Sequence, residues 1–197
     1  MKFTQPQAKK IVKAFAKHSA KNDVRYYLQG IHFKNGEMVT TDGHRLAILT
    51  SPRIELVSWS LEGCTIATTS RNLDALADMI SSPIAETELF FSKETGVLKT
   101  PRNSYVIDSV VPQGTDFDVR YPDYKRVIPG DIKAEFKLFV YNAKYITDAC
   151  SLVSAVHTKH ETFHIDSADH PAGQPTAIVR IDENEMKGMI IIMPVRV

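Results

Sequence analysis

The chain has 197 residues, of which 43% are hydrophobic and 24% are charged, as is ordinary for a soluble globular protein of one large domain or two small ones. A chain of this length can bury a core without metals or disulfides. The formal net charge of +1 excludes nucleic-acid binding through overall basicity, so any such contact must come from local clusters of charge.

The first predicted unit opens with a short strand and a helix. Thr4 and Pro6 are typical of a helix start, because the first turn cannot use the N–H that proline lacks. We expect this helix to run to about Lys21. Apolar and aromatic runs, separated by turn signals at Asn35-Gly36 and Asp42-Gly43, predict three strands at 24–33, 38–41 and 44–49.

The same order of elements recurs twice. Ser70 and Asn142 are predicted helix N-caps, since their side chains can accept from the free N–H groups of a first turn. Apolar residues at helical spacing predict one buried face on each helix: Leu73, Leu76, Ala77 and Ile80 on the second, and Ile146, Ala149, Cys150 and Val153 on the third. The accompanying strands are expected at 64–67, 88–91, 97–99, 105–111, 136–140, 162–166, 176–181 and 186–194.

Three units of strand, helix, strand, strand and strand predict an α+β fold with antiparallel sheets and the helices on one face. A turn-rich connector separates the second unit from the third. We therefore divide the chain into a domain of two units at 1–120, a connector at 121–134 and a half-domain at 135–197.

Lysines form a stripe on the first predicted helix. At about 100° per residue they fall within about 120° of one another, and no acidic residue precedes Asp23 to neutralise them. Such a stripe indicates either an ordinary solvated helix face or a surface for phosphate groups. Its members are Lys9, Lys10, Lys13, Lys17 and Lys21.

Several separate segments share a resemblance to one family. The sequences RYYLQG at 25–30, TDGHRL at 41–46, YPDYKRVIP at 121–129 and IIMPVRV at 191–197 are similar to the peptide-binding pocket of the bacterial beta sliding clamp family. Members of that family form the ring that tethers a replicative polymerase to DNA. The order of units resembles the middle domain of a clamp followed by the second half of the final domain.

The resemblance implies a DNA-clamp fold with two sites. Clamp helices line the inner wall of the ring, where lysines contact phosphates without reading the sequence. Besides the lysine stripe, the implied DNA-binding residues are Asn22, Tyr26, Tyr27 and Arg71. The implied pocket residues are Leu28, Thr41, Gly43, His44, Arg45, Leu46, Pro122, Arg126, Val127, Ile191, Met193, Pro194, Val195 and Arg196.

The partners implied by the resemblance are double-stranded DNA, bound without sequence specificity, and proteins with short clamp-binding motifs. Such motifs, commonly a glutamine followed by leucine and phenylalanine, occur on DNA polymerases, clamp loaders and repair proteins. Clamp domains meet by pairing strand edges, which implies a homo-oligomer. Two functions stay open: a ring-forming processivity factor that encircles DNA, and an adaptor or decoy that binds partner proteins without encircling it.

Signals for catalysis are weak. His157, His160 and His164, with Glu161, have spacings that a metal could use, but no cysteine or paired carboxylate accompanies them. The sequence contains no phosphate loop, dinucleotide fingerprint or nucleophile elbow. We therefore expect a binding protein and not an enzyme, with no metal and no cofactor.

The cellular compartment is predicted from three features. Cys64 and Cys150 are isolated, as is typical of buried thiols in a reducing compartment. The first residues lack an apolar core of signal-peptide length, and no apolar run is long enough to span a bilayer. These features predict a cytoplasmic protein without membrane contact.

Overall fold

A computed structural model describes most of the chain. The described residues are 3–82, 90–92, 96–99, 103–107, 121–129, 140–157, 165–169, 175–183 and 185–195.

The first unit contains one helix and three strands. Helix α1 (Gln5–Ala16) begins after Thr4, whose hydroxyl accepts from the backbone N–H of Gln7. It ends earlier than predicted, because 3-10-type bonds tighten the chain from Lys17 onward and the Ser19 hydroxyl donates to the Ala16 carbonyl. The strands are β1 (Gly30–Lys34), β2 (Glu37–Thr41) and β3 (Arg45–Thr50).

Two local predictions in and after this unit are wrong. Tyr26–Leu28 forms a 3-10 turn and not a strand, since the Leu28 and Gln29 N–H groups bond three residues back. A further helix, α2 (Pro52–Ser60), stands where the repeat of units predicts none. Ser51 caps it by accepting from the Ile54 N–H at 3.2 Å.

The second unit follows the predicted order, and so do the described elements of the third unit, from its helix onward. Thr69, and not Ser70, is the N-cap of α3, whereas Asn142 caps α4 as predicted. The predicted strand at 136–140 lies outside the described residues except for Val140. The elements are β4 (Thr65–Ala67), α3 (Ser70–Ser81), β5 (Phe90–Ser92), β6 (Val97–Lys99), β7 (Ser104–Val106), α4 (Ala143–Val156), β8 (Ile165–Asp169), β9 (Pro175–Glu183) and β10 (Met186–Ile192).

The described strands form two antiparallel sheets, which confirms the predicted α+β class. One sheet has the order β4-β1-β2-β3-β10-β9-β8, and the other has the order β5-β6-β7. Strand β3 pairs with β10 in a register that places Leu46 opposite Ile191, so the first and third units share one sheet. The site described below lies at one end of this junction.

The large sheet is covered on both faces. Helix α1 packs between α3 and α4 on one face, over a core that includes Phe15, Phe33 and Leu76. On the opposite face, a 3-10 turn (Tyr124–Val127) packs over Leu46 and neighbouring apolar residues of β2, β3 and β10. None of the helices in the described segments is long and apolar enough to cross a membrane.

Candidate functional site

A cavity of about 260 Å³ opens on the sheet face opposite the helices. It lies where β2 ends, where β3 begins and where β10 ends, beside the 3-10 turn. Most of the predicted pocket residues line it: Leu28, Thr41, Gly43, His44, Arg45, Leu46, Pro122, Val127, Ile191 and Met193. Three residues that sequence reasoning missed, Arg25, Asp123 and Tyr124, also line it.

The rim of this cavity is a tight turn between β2 and β3. The Asp42 carboxylate accepts from the backbone N–H groups of His44 and Arg45, at 2.9 and 3.1 Å. Gly43 has φ +88°, and the Arg25 guanidinium lies 3.0 Å from where its Cβ would stand. A side chain at Gly43 would therefore strain the backbone and displace Arg25.

The second wall is the segment that crosses the sheet at 121–127. The Tyr121 ring stacks on His32, with centroids 4.0 Å apart and planes at 3°. The Tyr124 hydroxyl donates to the Glu37 carboxylate, and burial together with that neighbour raises the Tyr124 pKa. These contacts hold the segment to the sheet and give the cavity a defined wall.

A second cavity of about 520 Å³ adjoins the first. It shares Gly43, His44 and Met193 with the first cavity and adds Asn142 and Tyr145 of the α4 start, with Pro194 and Val195. The Met193 N–H donates to the His44 carbonyl at 3.0 Å, which joins the two walls. We call the two adjoining cavities the groove.

Arg45 lies between two groove residues, but its guanidinium bonds toward the helices. It donates to the Asp42 carboxylate at 3.0 Å, to the Asp148 carboxylate at 2.8 Å and to the Lys17 carbonyl at 2.5 Å. Burial disfavours the Asp148 charge, yet hydrogen bonds from Lys144 and Arg45 outweigh it and lower the Asp148 pKa. Only 4% of the Arg45 side chain is exposed.

Two predicted pocket residues, Arg126 and Arg196, are not assigned to the groove. Arg126 is exposed and lines neither of these two cavities, and Arg196 lies outside the described residues. Asn142 and Tyr145 have a signal in the sequence, because the predicted N-cap at Asn142 locates the start of α4. Nothing local to that start indicates its position beside Met193.

Two lysines of the stripe have partners on neighbouring helices. Lys9 forms an ion pair with Asp74 of α3 at 2.7 Å, and Lys17 donates to the Ser151 hydroxyl of α4 at 3.2 Å. Lys21 lies beyond the end of α1. Lys10 and Lys13 are exposed, and neither pairs with an acidic residue of the described chain.

The other predicted DNA-binding residues lie after the end of α1 and at the start of α3. Arg71 is exposed in the first turn of α3. Asn22 has φ +54°, and Tyr26 and Tyr27 are half-buried with their rings edge to face at 6.0 Å. Because these tyrosines lie in the 3-10 turn, they do not alternate in direction as they would along a strand.

The candidate histidine cluster falls mainly outside the described chain, since His160, Glu161 and His164 are not described. His157 is at the end of α4, and its Nδ1 lies 3.1 Å from the Glu183 carboxylate. Among described residues, no group of three His, Cys, Asp or Glu side chains is arranged to hold a metal.

Comparison with known proteins identifies relatives over much of the chain. No family model matches the sequence. The beta sliding clamp of Escherichia coli K12 is 30% identical over 135 residues, which are 66% of this chain and 34% of that protein. The beta sliding clamp of Proteus mirabilis has the same identity and coverage. The match thus spans about a third of these curated relatives.

The solved structures show the same fold. The DNA polymerase III subunit beta of Pseudomonas aeruginosa gives a TM-score of 0.51 at 16% identity, covering 99% of this chain and 66% of that chain. A DnaN sliding clamp from the same organism, bound to griselimycin, gives 0.51 at 17% identity, covering 99% and 64%. The chain has the DNA-clamp fold and belongs to the bacterial beta sliding clamp family.

Proposed function

We propose that this chain is a sliding-clamp-like processivity factor, which holds a DNA polymerase to duplex DNA by binding a short peptide of the polymerase or its loader. The observation that supports this most strongly is the groove, where the turn after β2, the crossing segment at 121–127 and the end of β10 meet. The proposed role is binding and not catalysis, and its site is the cytoplasm, where bacterial DNA is replicated.

The groove suits an extended peptide with apolar anchors. Leu46 and Ile191 are buried beneath the first cavity, and the half-buried Met193 adjoins both cavities. Each buried Leu or Phe of a peptide contributes about 1.5–3 kcal/mol. Two such anchors offset the ordering of a short peptide and leave modest affinity. Met193 can adapt its rotamer to different anchors.

Replacing Met193 with lysine is expected to weaken peptide binding by more than about tenfold, because an ammonium group would need to lose its water between two cavities. A suitable probe is a synthetic pentapeptide with glutamine at its start and Leu-Phe at its end, with affinity measured by calorimetry. Leu46 is a poorer target, since it is 3% exposed and its replacement would disturb the fold.

Val106→Lys is the matched control, because Val106 is exposed on β7 of the smaller sheet. The control adds the same charge away from the groove and should leave affinity unchanged. Equal affinities for Met193→Lys and the parent chain would remove the groove from the proposed function.

The proposed DNA surface is the exposed face of α1 with Arg71 of α3. Lys10 and Lys13 are its strongest candidates, because Lys9 and Lys17 already have partners on neighbouring helices. Such a surface attracts phosphates without reading bases, which permits movement along the duplex.

The double variant Lys10→Ala, Lys13→Ala is expected to weaken binding to duplex DNA and to reduce its dependence on salt. Each lost phosphate contact lowers the slope of log affinity against log salt by about 0.9. Fluorescence anisotropy of a labelled duplex at several salt concentrations measures that slope. Lys187→Ala on β10 is the control, since Lys187 is exposed and alternates with the core residue Met186. An unchanged slope in the double variant would contradict the DNA role.

We further propose that copies of the chain associate through sheet edges. Each copy would contribute a domain at 1–120, a connector at 121–134 and a half-domain at 135–197. In the described sheet, β4 pairs with β1 and β8 pairs with β9, so each has an outer edge at which another strand can add. Light scattering distinguishes the two open functions: a discrete ring-sized oligomer supports encirclement of DNA, and a monomer supports the adaptor or decoy.

A further inference from the structure

The guanidinium of Arg45 points away from the groove and bonds to residues of the helix layer. Arg45 begins β3 between His44 and Leu46, both of which line the groove, yet its guanidinium lies in the helix layer. Its three partners come from separate parts of the chain: Asp42 from the rim turn, the Lys17 carbonyl from the end of α1, and Asp148 from α4. One side chain thus joins the rim to two helices.

The same guanidinium supports an aromatic wall of the second cavity. Its Cζ lies 4.4 Å from the centre of the Tyr145 ring, a cation–π distance. On the groove side, Tyr145 stacks with His44 at 6.4 Å and 21°. Both rings line the second cavity. The order of contacts is therefore Arg45, Tyr145, His44 and then the open groove.

The carboxylate of Asp148 connects this support to α4. It is 8% exposed and accepts from Arg45 at 2.8 Å and from Lys144 at 2.6 Å. Asn142 caps the same first turn of α4 and lines the second cavity. A shift of Arg45 would therefore move Asn142 and Tyr145 together, because both lie on the helix that Asp148 anchors.

We infer that Arg45 is a positioning residue of the groove: through Asp148 and Tyr145 it places the α4 wall of the second cavity and does not itself bind the peptide. The inference rests on the proposed peptide-binding function and deepens it. A lysine at this position keeps the charge but lacks the planar fork that reaches Asp42, Asp148 and the Lys17 carbonyl at once.

The test compares two probes in Arg45→Lys and Asp148→Asn. An extended pentapeptide is expected to span both cavities, whereas a Leu-Phe dipeptide amide is expected to occupy only the apolar first cavity. Both affinities are measured by NMR titration, and the ring-proton shifts of His44 are recorded without peptide. Arg180→Lys is the matched control, because Arg180 also pairs with an aspartate, Asp166, from a strand outside the groove.

In Arg45→Lys and Asp148→Asn we expect pentapeptide affinity to fall about tenfold and dipeptide affinity to fall clearly less, because Asn142 and Tyr145 line only the second cavity whereas His44 lines both. The His44 ring protons should shift as Tyr145 moves, and Arg180→Lys should change none of these readouts. The inference would be overturned if the His44 shifts stay unchanged and the two probes either lose affinity equally or lose none. Asp148→Asn keeps the side-chain shape and decides the matter if Arg45→Lys does not fold.

The two proposals fail in different ways. If the parent chain binds neither probe, the proposed peptide binding is wrong. The positioning role of Arg45 is then tested by the His44 shifts alone. Shifts that move in Arg45→Lys or Asp148→Asn, but not in Arg180→Lys, then still support its positioning role. Shifts that stay constant overturn it.

Discussion

Replacing Gly188 with alanine is expected to lower the free energy of unfolding by about 3 kcal/mol. Gly188 lies on β10 opposite Leu49 of β3. A Cβ there would stand inside van der Waals contact of the Ile48 carbonyl oxygen and 2.9 Å from Leu49 Cδ1. Backbone cannot yield as a flexible side chain can, so the strand pair that joins the first and third units would separate.

Urea unfolding followed by circular dichroism measures this loss, and Gly63→Ala is its control. Gly63 has φ +76°, and a Cβ at this residue would meet no neighbouring atom within 4 Å, so alanine there strains only the backbone and should cost about 1 kcal/mol. If Gly188→Ala lowers the free energy of unfolding no more than Gly63→Ala does, β3 and β10 can accommodate a methyl group and the prediction is wrong. Peptide affinity should fall with the Gly188 change, because Ile191 and Met193 follow on the same chain segment.

Lowering the pH from about 6.5 to about 4 is expected to destabilise the fold by about 3 kcal/mol for each of two buried histidines. Burial, together with the nearby Arg45 charge, lowers the His18 pKa to about 4, and burial together with Lys34 does the same for the His32 pKa. The unfolded chain takes up protons below pH 6.5 while the folded chain does not. Stability is therefore complete above pH 6.5 and falls as the pH approaches 4.

The measurement is the free energy of unfolding in urea at several pH values, with His18→Gln and His32→Gln each compared with the parent chain. Each variant should remove its own share of the pH dependence. The Asp148 pKa is lowered by hydrogen bonds from Lys144 and Arg45, so the contribution of that carboxylate is lost as the pH falls below the ordinary range of aspartate. A flat stability profile between pH 6.5 and 4 would contradict the assignment.

The main helices and strands are predictable because each has a local signal. Thr4, Pro6 and Asn142 mark helix starts, and the turn at Asn35-Gly36 separates β1 from β2. Helix α2 has a comparable signal in Ser51 and Pro52, with apolar residues at helical spacing behind it. The prediction missed this helix because the repeated unit of strand, helix and three strands contains no helix after its last strand.

The errors arise where distant or competing bonds decide the outcome. The aromatic residues Tyr26 and Tyr27 favour a strand by propensity, but the Gln29 side chain donates to the Asp23 carbonyl and helps to close the segment into a turn. The partners of Arg45 lie on α1 and α4, and no periodicity in the sequence reveals such a network. The groove segments stand out through family resemblance, whereas their joint position requires the fold.

The pairing of β3 with β10 also has a consequence for folding kinetics. These strands are separated by most of the length of the chain, and contacts of such long sequence separation form slowly because a large loop must close first. Until β10 arrives, β3 presents an open edge that invites aggregation. The groove, whose walls include the residues that follow β10, is therefore completed late in folding.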